Sequence, residues 1–131
     1  MNKNSVKSVI VSVFFSELIA LFSLAVFAFF TYNKPDPSVY SSKLGIVTLL
    51  IGGLACGLIS CFVSGRKNMA LPIASGGTFC LIQLISSLLF SSGNFDLLLV
   101  AIKLILTMGI VTFTSYLITT KKTKPRKRKK R

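Results

Sequence analysis

The chain has 131 residues, of which 52 % are hydrophobic and only 15 % are charged, and its net charge is +13. A soluble protein has about a quarter charged residues, and a chain of this length forms one domain. Such a small core cannot bury this much apolar surface, so the composition excludes an ordinary soluble protein and indicates a lipid-embedded one.

Four apolar segments are long enough to cross a bilayer, which takes about 20 mostly apolar residues in a helix. We predict spans at about 9–31, 44–64, 71–90 and 97–119. The first is predicted to be a retained signal anchor, because its apolar stretch is too long for a cleaved peptide and no Ala-x-Ala site follows it. Unbroken apolar runs exclude the alternating strands of a membrane barrel. The predicted fold is an all-α integral membrane four-helix bundle, up-down-up-down, over residues 1–120.

The connections between the spans are predicted to be short, and one of them, 32–43, contains Pro35 and Pro37. Lys and Arg residues near span ends stay in the cytoplasm. With both termini in the cytoplasm, thirteen basic residues lie inside and only Lys34 and Lys43 lie outside. We therefore expect a multi-pass protein of the cytoplasmic membrane with both ends inside.

Residues 121–131 form a basic tail that is predicted to be disordered, because so dense a run of like charges cannot fold. Beside a span, such a tail is attracted to anionic lipid headgroups, which makes the bilayer its expected partner. The alternative is docking to an acidic protein or RNA, but no aromatic residues interleave for base stacking, which disfavours nucleic acid. The expected anion-binding residues are Lys121, Lys122, Lys124, Arg126, Lys127, Arg128, Lys129, Lys130 and Arg131.

Small residues recur along one face of the second and third spans, and such residues let membrane helices approach closely. In the second span the row is Gly53, Gly57, Cys61 and Gly65, with a neighbouring row of Gly52, Cys56, Ser60 and Ser64. In the third span the face is Gly76, Cys80, Gln83 and Ser87. We expect these faces to meet each other inside the chain. The alternative is a contact with a second copy or with another membrane protein.

Three strongly polar side chains fall inside the predicted spans: Glu17, Gln83 and Lys103. Ionisable residues inside a membrane are candidates for function. Three arrangements stay open: Lys103 extends toward the outer surface near Asp96, Lys103 pairs with Glu17, or the polar groups serve transport or proton relay.

Catalytic, metal and cofactor sites are not expected. The chain has no His, and its three cysteines form no C-x-x-C pair, which argues against zinc and against a disulfide framework. No nucleophile–base pair is evident. The expected function is a non-enzymatic scaffold or accessory subunit. The alternatives are a component of a small transporter or channel, and a membrane tether for the basic tail.

The chain also carries motifs that are patterns of residue type, over nearly its whole length up to about Thr119. A lysine-bearing start precedes the first span. The glycine-rich second span ends in a basic turn, GGLACGLISCFVSGRKNMAL, and the third span starts with small residues, IASGGTFCLIQLISSLL. The fourth span contains a lysine, LLLVAIKLILTMGI. With these motifs the chain resembles the YrzE-like family of small four-helix membrane proteins of Gram-positive bacteria. It departs from the family in having one glycine, Gly109, in the fourth span and a longer basic tail. The resemblance implies a four-helix bacterial membrane protein and supplies no activity.

Overall fold

The computed structural model describes residues 3–65, 69–90 and 96–120. These residues form four α-helices: α1 (Lys3–Tyr32), α2 (Pro37–Val63), α3 (Ala70–Phe90) and α4 (Leu97–Thr120). Each helix is long and apolar enough to cross a membrane. The predicted all-α chain with four such helices is therefore confirmed.

The connection between α1 and α2 is much shorter than predicted. The sequence indicated a loop over 32–43, but α1 continues to Tyr32 and α2 already begins at Pro37. Proline fits the first turn of a helix because its φ is already helical and its missing N–H has no partner there. The apolar part of α2 begins at Lys43, next to the predicted span, so the difference is a polar extension of the helix.

Contacts between helices define how the bundle is assembled. Gly53 lies against Thr107, and Gly57 lies one turn further along against Thr114, so α2 and α4 run in the same direction. Helices α2 and α3 each contact the other three helices. Within the described ranges, α1 and α4 do not contact each other and therefore lie on opposite sides of the α2–α3 pair.

The small residues of α2 and α3 mainly receive α4, which corrects the expected contact between the two rows. A Cβ atom added at Gly76 would lie 2.8 Å from Cγ1 of Val111, and one at Gly53 would lie 3.0 Å from Cγ2 of Thr107. The branched side chains of α4 fill the notches that glycine leaves in both neighbouring helices. Two rows of small residues do not pack closely against each other, because neither row supplies a side chain that fills the space left by the other.

Helices α2 and α3 also contact each other, where the ring of Phe79 covers Gly52. A Cβ atom at Gly52 would lie 2.7 Å from Cζ of Phe79 and 3.1 Å from Cβ of Ala20. Phe79, Cys56 and Val111 are fully buried and form the apolar core of the bundle.

Gly65 does not belong to the packing face on which the sequence placed it. Helix α2 ends at Val63, and Gly65 follows with φ 70°, a left-handed conformation that favours glycine after a helix. Nothing lies within 4 Å of the position a Cβ atom would take there. Cys61, in the same predicted row, is buried within the bundle.

One half of the bundle, which we name the filled half, contains the N-terminal part of α1, the C-terminal part of α2 and the N-terminal part of α3. Its buried hydroxyl groups each donate a hydrogen bond to a carbonyl of their own helix, three or four residues earlier. A hydroxyl that bonds within its own helix needs no partner on a neighbouring helix. Its side chain is also small, so the neighbouring helix can approach closely. The filled half comprises Ser12, Ser16, Cys56, Ser60, Ser75, Phe79, Val111 and Ser115.

Candidate functional site

The other half of the bundle, on the side of the α1–α2 turn, contains a cavity of about 380 Å³. All four helices contribute to its wall. We name it the polar cavity, and it is lined by Glu17, Ala20, Leu21, Leu24, Gly45, Thr48, Leu49, Gln83, Ser86 and Lys103. Its volume lies within the range of about 300–1,000 Å³ that is typical of small-molecule sites.

Glu17 and Gln83 form a hydrogen-bonded pair in the wall of the polar cavity. Nε2 of Gln83 lies 3.2 Å from Oε1 and 3.1 Å from Oε2 of Glu17, so the amide donates to both carboxylate oxygens. An ionised acceptor makes such a bond stronger than one between neutral groups. The pair joins α1 to α3 and holds the carboxylate in one orientation.

Lys103 enters the same cavity from α4, on the side away from α1. In the part of the chain that the structure describes, Lys103 forms no salt bridge with Glu17 or Asp96. The pairing of Glu17 with Lys103 weighed from the sequence is therefore replaced by the Glu17–Gln83 pair. The two opposite charges face one cavity without neutralising each other directly.

The core residues close the polar cavity toward the filled half. Phe79 lies one turn from Gln83 along α3, and its ring covers Gly52, which lies one turn from Thr48 along α2. Ala20 belongs to the cavity wall and also lies against Gly52, so the wall adjoins Phe79, which we name the floor of the cavity. The cavity is thus a recess in one half of the bundle.

The structure brings together all three of the polar residues that the sequence singled out inside the spans. It adds Thr48 and Ser86, which sequence reasoning missed. Ser86 follows Gln83 by three residues, and this helical spacing places both on one face. Thr48 could have been found from the sequence, because it lies one helical turn before Gly52 and therefore on the same face as the row of small residues in the second span.

The chemistry that the polar cavity offers is binding. Its lining combines the charged residues Glu17 and Lys103 and the amide of Gln83 with leucine side chains that provide apolar contact, whereas the Thr48 hydroxyl donates to the carbonyl of Leu44 in its own helix. The remaining predicted site residues, the nine basic residues of the tail, lie outside the described residues, as do Arg66 and Lys67.

The fold and cavity define a class: a four-helix bundle with membrane-compatible helices and a polar recess. Comparison with models of known protein families, with curated proteins and with solved structures gives no match for this chain. The resemblance to the YrzE-like family accordingly stays a prediction.

Proposed function

We propose that this chain is a non-enzymatic, multi-pass membrane protein that binds a small polar solute in the polar cavity, as a component of a transporter or channel. The observation that carries the proposal is the convergence of Glu17, Gln83 and Lys103, from three different helices, on one cavity. A charged residue at the centre of a membrane helix costs about 2.5–3.5 kcal/mol on insertion scales. This cost applies to Glu17, near the middle of α1, and less to Lys103, six residues after the start of α4. A role in binding accounts for both charged residues lining one recess.

The proposed orientation places both termini in the cytoplasm, which puts the polar cavity in the outer half of the cytoplasmic membrane. The thirteen basic residues on one side against two on the other support this orientation. Reporter fusions after residues 36, 67, 93 and 131 test it. A cytoplasmic signal at residue 36 or an external signal at residue 131 would overturn it.

A scaffold function stays the competing proposal, but the feature that favoured it now has another explanation. Gly53, Gly57 and Gly76 lie against α4 of the same chain and are not free to contact a second copy. Crosslinking in native membranes with identification of the partners tests the scaffold directly. The basic tail is compatible with both proposals as an anchor on anionic lipid headgroups.

Water access to the polar cavity is the decisive test of the solute-binding proposal. We expect Ser86→Cys to react with a membrane-impermeant methanethiosulfonate added outside intact cells. The matched control is Ser115→Cys, a serine fully buried in the filled half. Because thiol modification follows exposure, Ser86→Cys should react at least about tenfold faster.

The native cysteines give an internal control for this experiment, since Cys56, Cys61 and Cys80 are free and buried. The unsubstituted chain should therefore show only background labelling. Equal labelling of Ser86→Cys and Ser115→Cys, both in intact cells and after the cells are permeabilised, would show that water does not reach the cavity from either side, and solute binding there would be ruled out.

A further inference from the structure

Glu17 and Lys103 place opposite charges on one cavity from helices that do not contact each other. Building on the solute-binding function proposed above, we propose that the polar cavity selects a small zwitterion. Its ammonium group binds the Glu17 carboxylate, and its anionic group binds the Lys103 ammonium.

The Glu17 carboxylate is prepared to receive a donor. Gln83 uses one amide nitrogen for both carboxylate oxygens, and each ionised oxygen can accept more than one hydrogen bond. The oxygens therefore keep acceptor capacity toward the cavity while Gln83 holds them in place. An ammonium group, with three donors and no acceptor, is complementary to this remaining capacity.

The Lys103 side chain favours a ligand group of the opposite charge, an anion. Its ammonium group donates only, so it attracts a carboxylate or phosphate and repels a cation. A ligand with a single positive charge would gain from Glu17 but meet repulsion from Lys103, and a ligand with a single negative charge would meet the reverse. Specificity of this kind comes from repelling the wrong ligand as well as binding the right one.

The size and wall of the polar cavity favour an amino-acid-sized ligand with an apolar part. A volume of about 380 Å³ lies near the lower end of small-molecule sites. Leu21, Leu24 and Leu49 line the cavity beside the charged groups. An aliphatic chain that lies against these three leucines while its charged groups reach Glu17 and Lys103 uses the whole wall.

An ammonium group with N–H donors close to an anion occurs both in a free amino acid and in the headgroup of phosphatidylethanolamine, whereas the quaternary nitrogen of phosphatidylcholine has no N–H donor. The two sources are separated by studying the full chain in nanodiscs of phosphatidylcholine and phosphatidylglycerol, with and without phosphatidylethanolamine. Headgroup binding is detected as phosphatidylethanolamine retained in native mass spectrometry.

The probes for the free ligand are L-leucine and 6-aminohexanoate, which differ in the separation of their charges, measured by titration calorimetry. The matched single-charge molecules are 4-methylpentanoate and 3-methylbutylamine. We expect at least one zwitterion to bind about tenfold or more tightly than either single-charge molecule. Glu17→Gln should abolish the advantage over 4-methylpentanoate, and Lys103→Met the advantage over 3-methylbutylamine.

The control variants are Asp36→Asn and Lys43→Met, which remove the same kinds of charge outside the polar cavity. Both should keep the zwitterion preference, and thermal melting identifies any variant that has lost its fold. Retention of phosphatidylethanolamine that depends on both Glu17 and Lys103 would also support the proposal and would identify the headgroup as the source.

Binding without a preference for two charges, or a preference unaffected by both cavity variants, would overturn the zwitterion proposal. So would the absence of binding by both zwitterions and by phosphatidylethanolamine. Labelling of Ser86→Cys decides separately whether the polar cavity is open to solute, so the two proposals fail on different results.

Discussion

The two halves of this bundle are built from the same four helices and differ in the reach of their polar side chains. In the filled half, hydroxyl groups such as that of Ser16 bond to their own helix, and glycine admits the neighbouring helix. In the half with the polar cavity, Glu17, Gln83 and Lys103 extend beyond their own helices. In this chain the three long polar side chains line the polar cavity, whereas the buried serines of the filled half bond within their own helices.

The largest expected loss of stability comes from removing the ring of Phe79, the floor between the two halves. Phe79→Ala removes a fully buried ring and should lower the free energy of unfolding by about 3 kcal/mol, at the low end for buried Phe→Ala. For a protein in the proposed membrane location, the low end applies because lipid and not water would surround the separated helices. Unfolding in mixed micelles measures the change.

The control for this substitution is Phe113→Ala on α4, where the ring is 64 % exposed. A surface change of this kind should stay within about 0.5 kcal/mol. If Phe79 is the floor, its removal should also make the thiol of Cys56 reactive toward the impermeant reagent. A stable Phe79→Ala protein with an unreactive Cys56 would show that the halves are not separated there.

A smaller effect is expected from overfilling a notch in the filled half. Gly76→Leu places side-chain atoms where a Cβ atom alone would lie 2.8 Å from Val111. Overpacking should lower the free energy of unfolding by about 2 kcal/mol, within the usual range of about 1–3. The neighbouring Gly77→Leu is the matched control, because nothing lies within 4 Å of a Cβ atom at Gly77. Equal losses at both positions would contradict the close contact between α3 and α4.

The smallest of the three effects tests the hydrogen bond in the wall of the polar cavity. A double-mutant cycle of Glu17→Ala and Gln83→Ala should give a coupling energy of about 1 kcal/mol, because interhelical hydrogen bonds in membranes average about 0.6 and reach about 1.7. Thermal or detergent unfolding of the four proteins supplies the cycle.

The control cycle combines Glu17→Ala with Ser87→Ala, one turn further along α3. The Ser87 hydroxyl donates to the carbonyl of Leu84 in its own helix at 2.9 Å, so this cycle should be additive within about 0.5 kcal/mol. Additive behaviour in the Gln83 cycle as well would mean that the cavity wall gains nothing from this pair.

The four helices were predictable because each is a long apolar run. The apolar limits of α2, α3 and α4 lie within one residue of the predicted spans, whereas α1 begins at Lys3, six residues before the predicted start of the first span. The start of α2 at Pro37 was not predicted, since a proline-rich segment indicates a loop as readily as the first turn of a helix. Glycine spacing identified interface positions at Gly53 and Gly76 but not their partner. Which helix fills a notch depends on the shape of side chains far away in sequence, here Thr107 and Val111.

The residues of the polar cavity could be predicted one by one from the sequence, but their meeting in one cavity could not. Glu17, Gln83 and Lys103 stood out individually because polar residues are rare in apolar helices. Their meeting depends on the arrangement of four helices, which spacing within one helix does not encode. From the sequence, Lys103 was considered as the partner of Glu17 because their charges are opposite, whereas the hydrogen-bond partner of Glu17 is Gln83.

The Glu17–Gln83 hydrogen bond also has a consequence for how the protein is made. Its two partners are 66 residues apart in the chain. At about 5–20 residues per second, Gln83 is synthesised roughly 3–13 s after Glu17. During this interval α1 carries a carboxylate with no partner from α3. A chain interrupted before Gln83 therefore lacks the partner that this carboxylate has in the finished bundle.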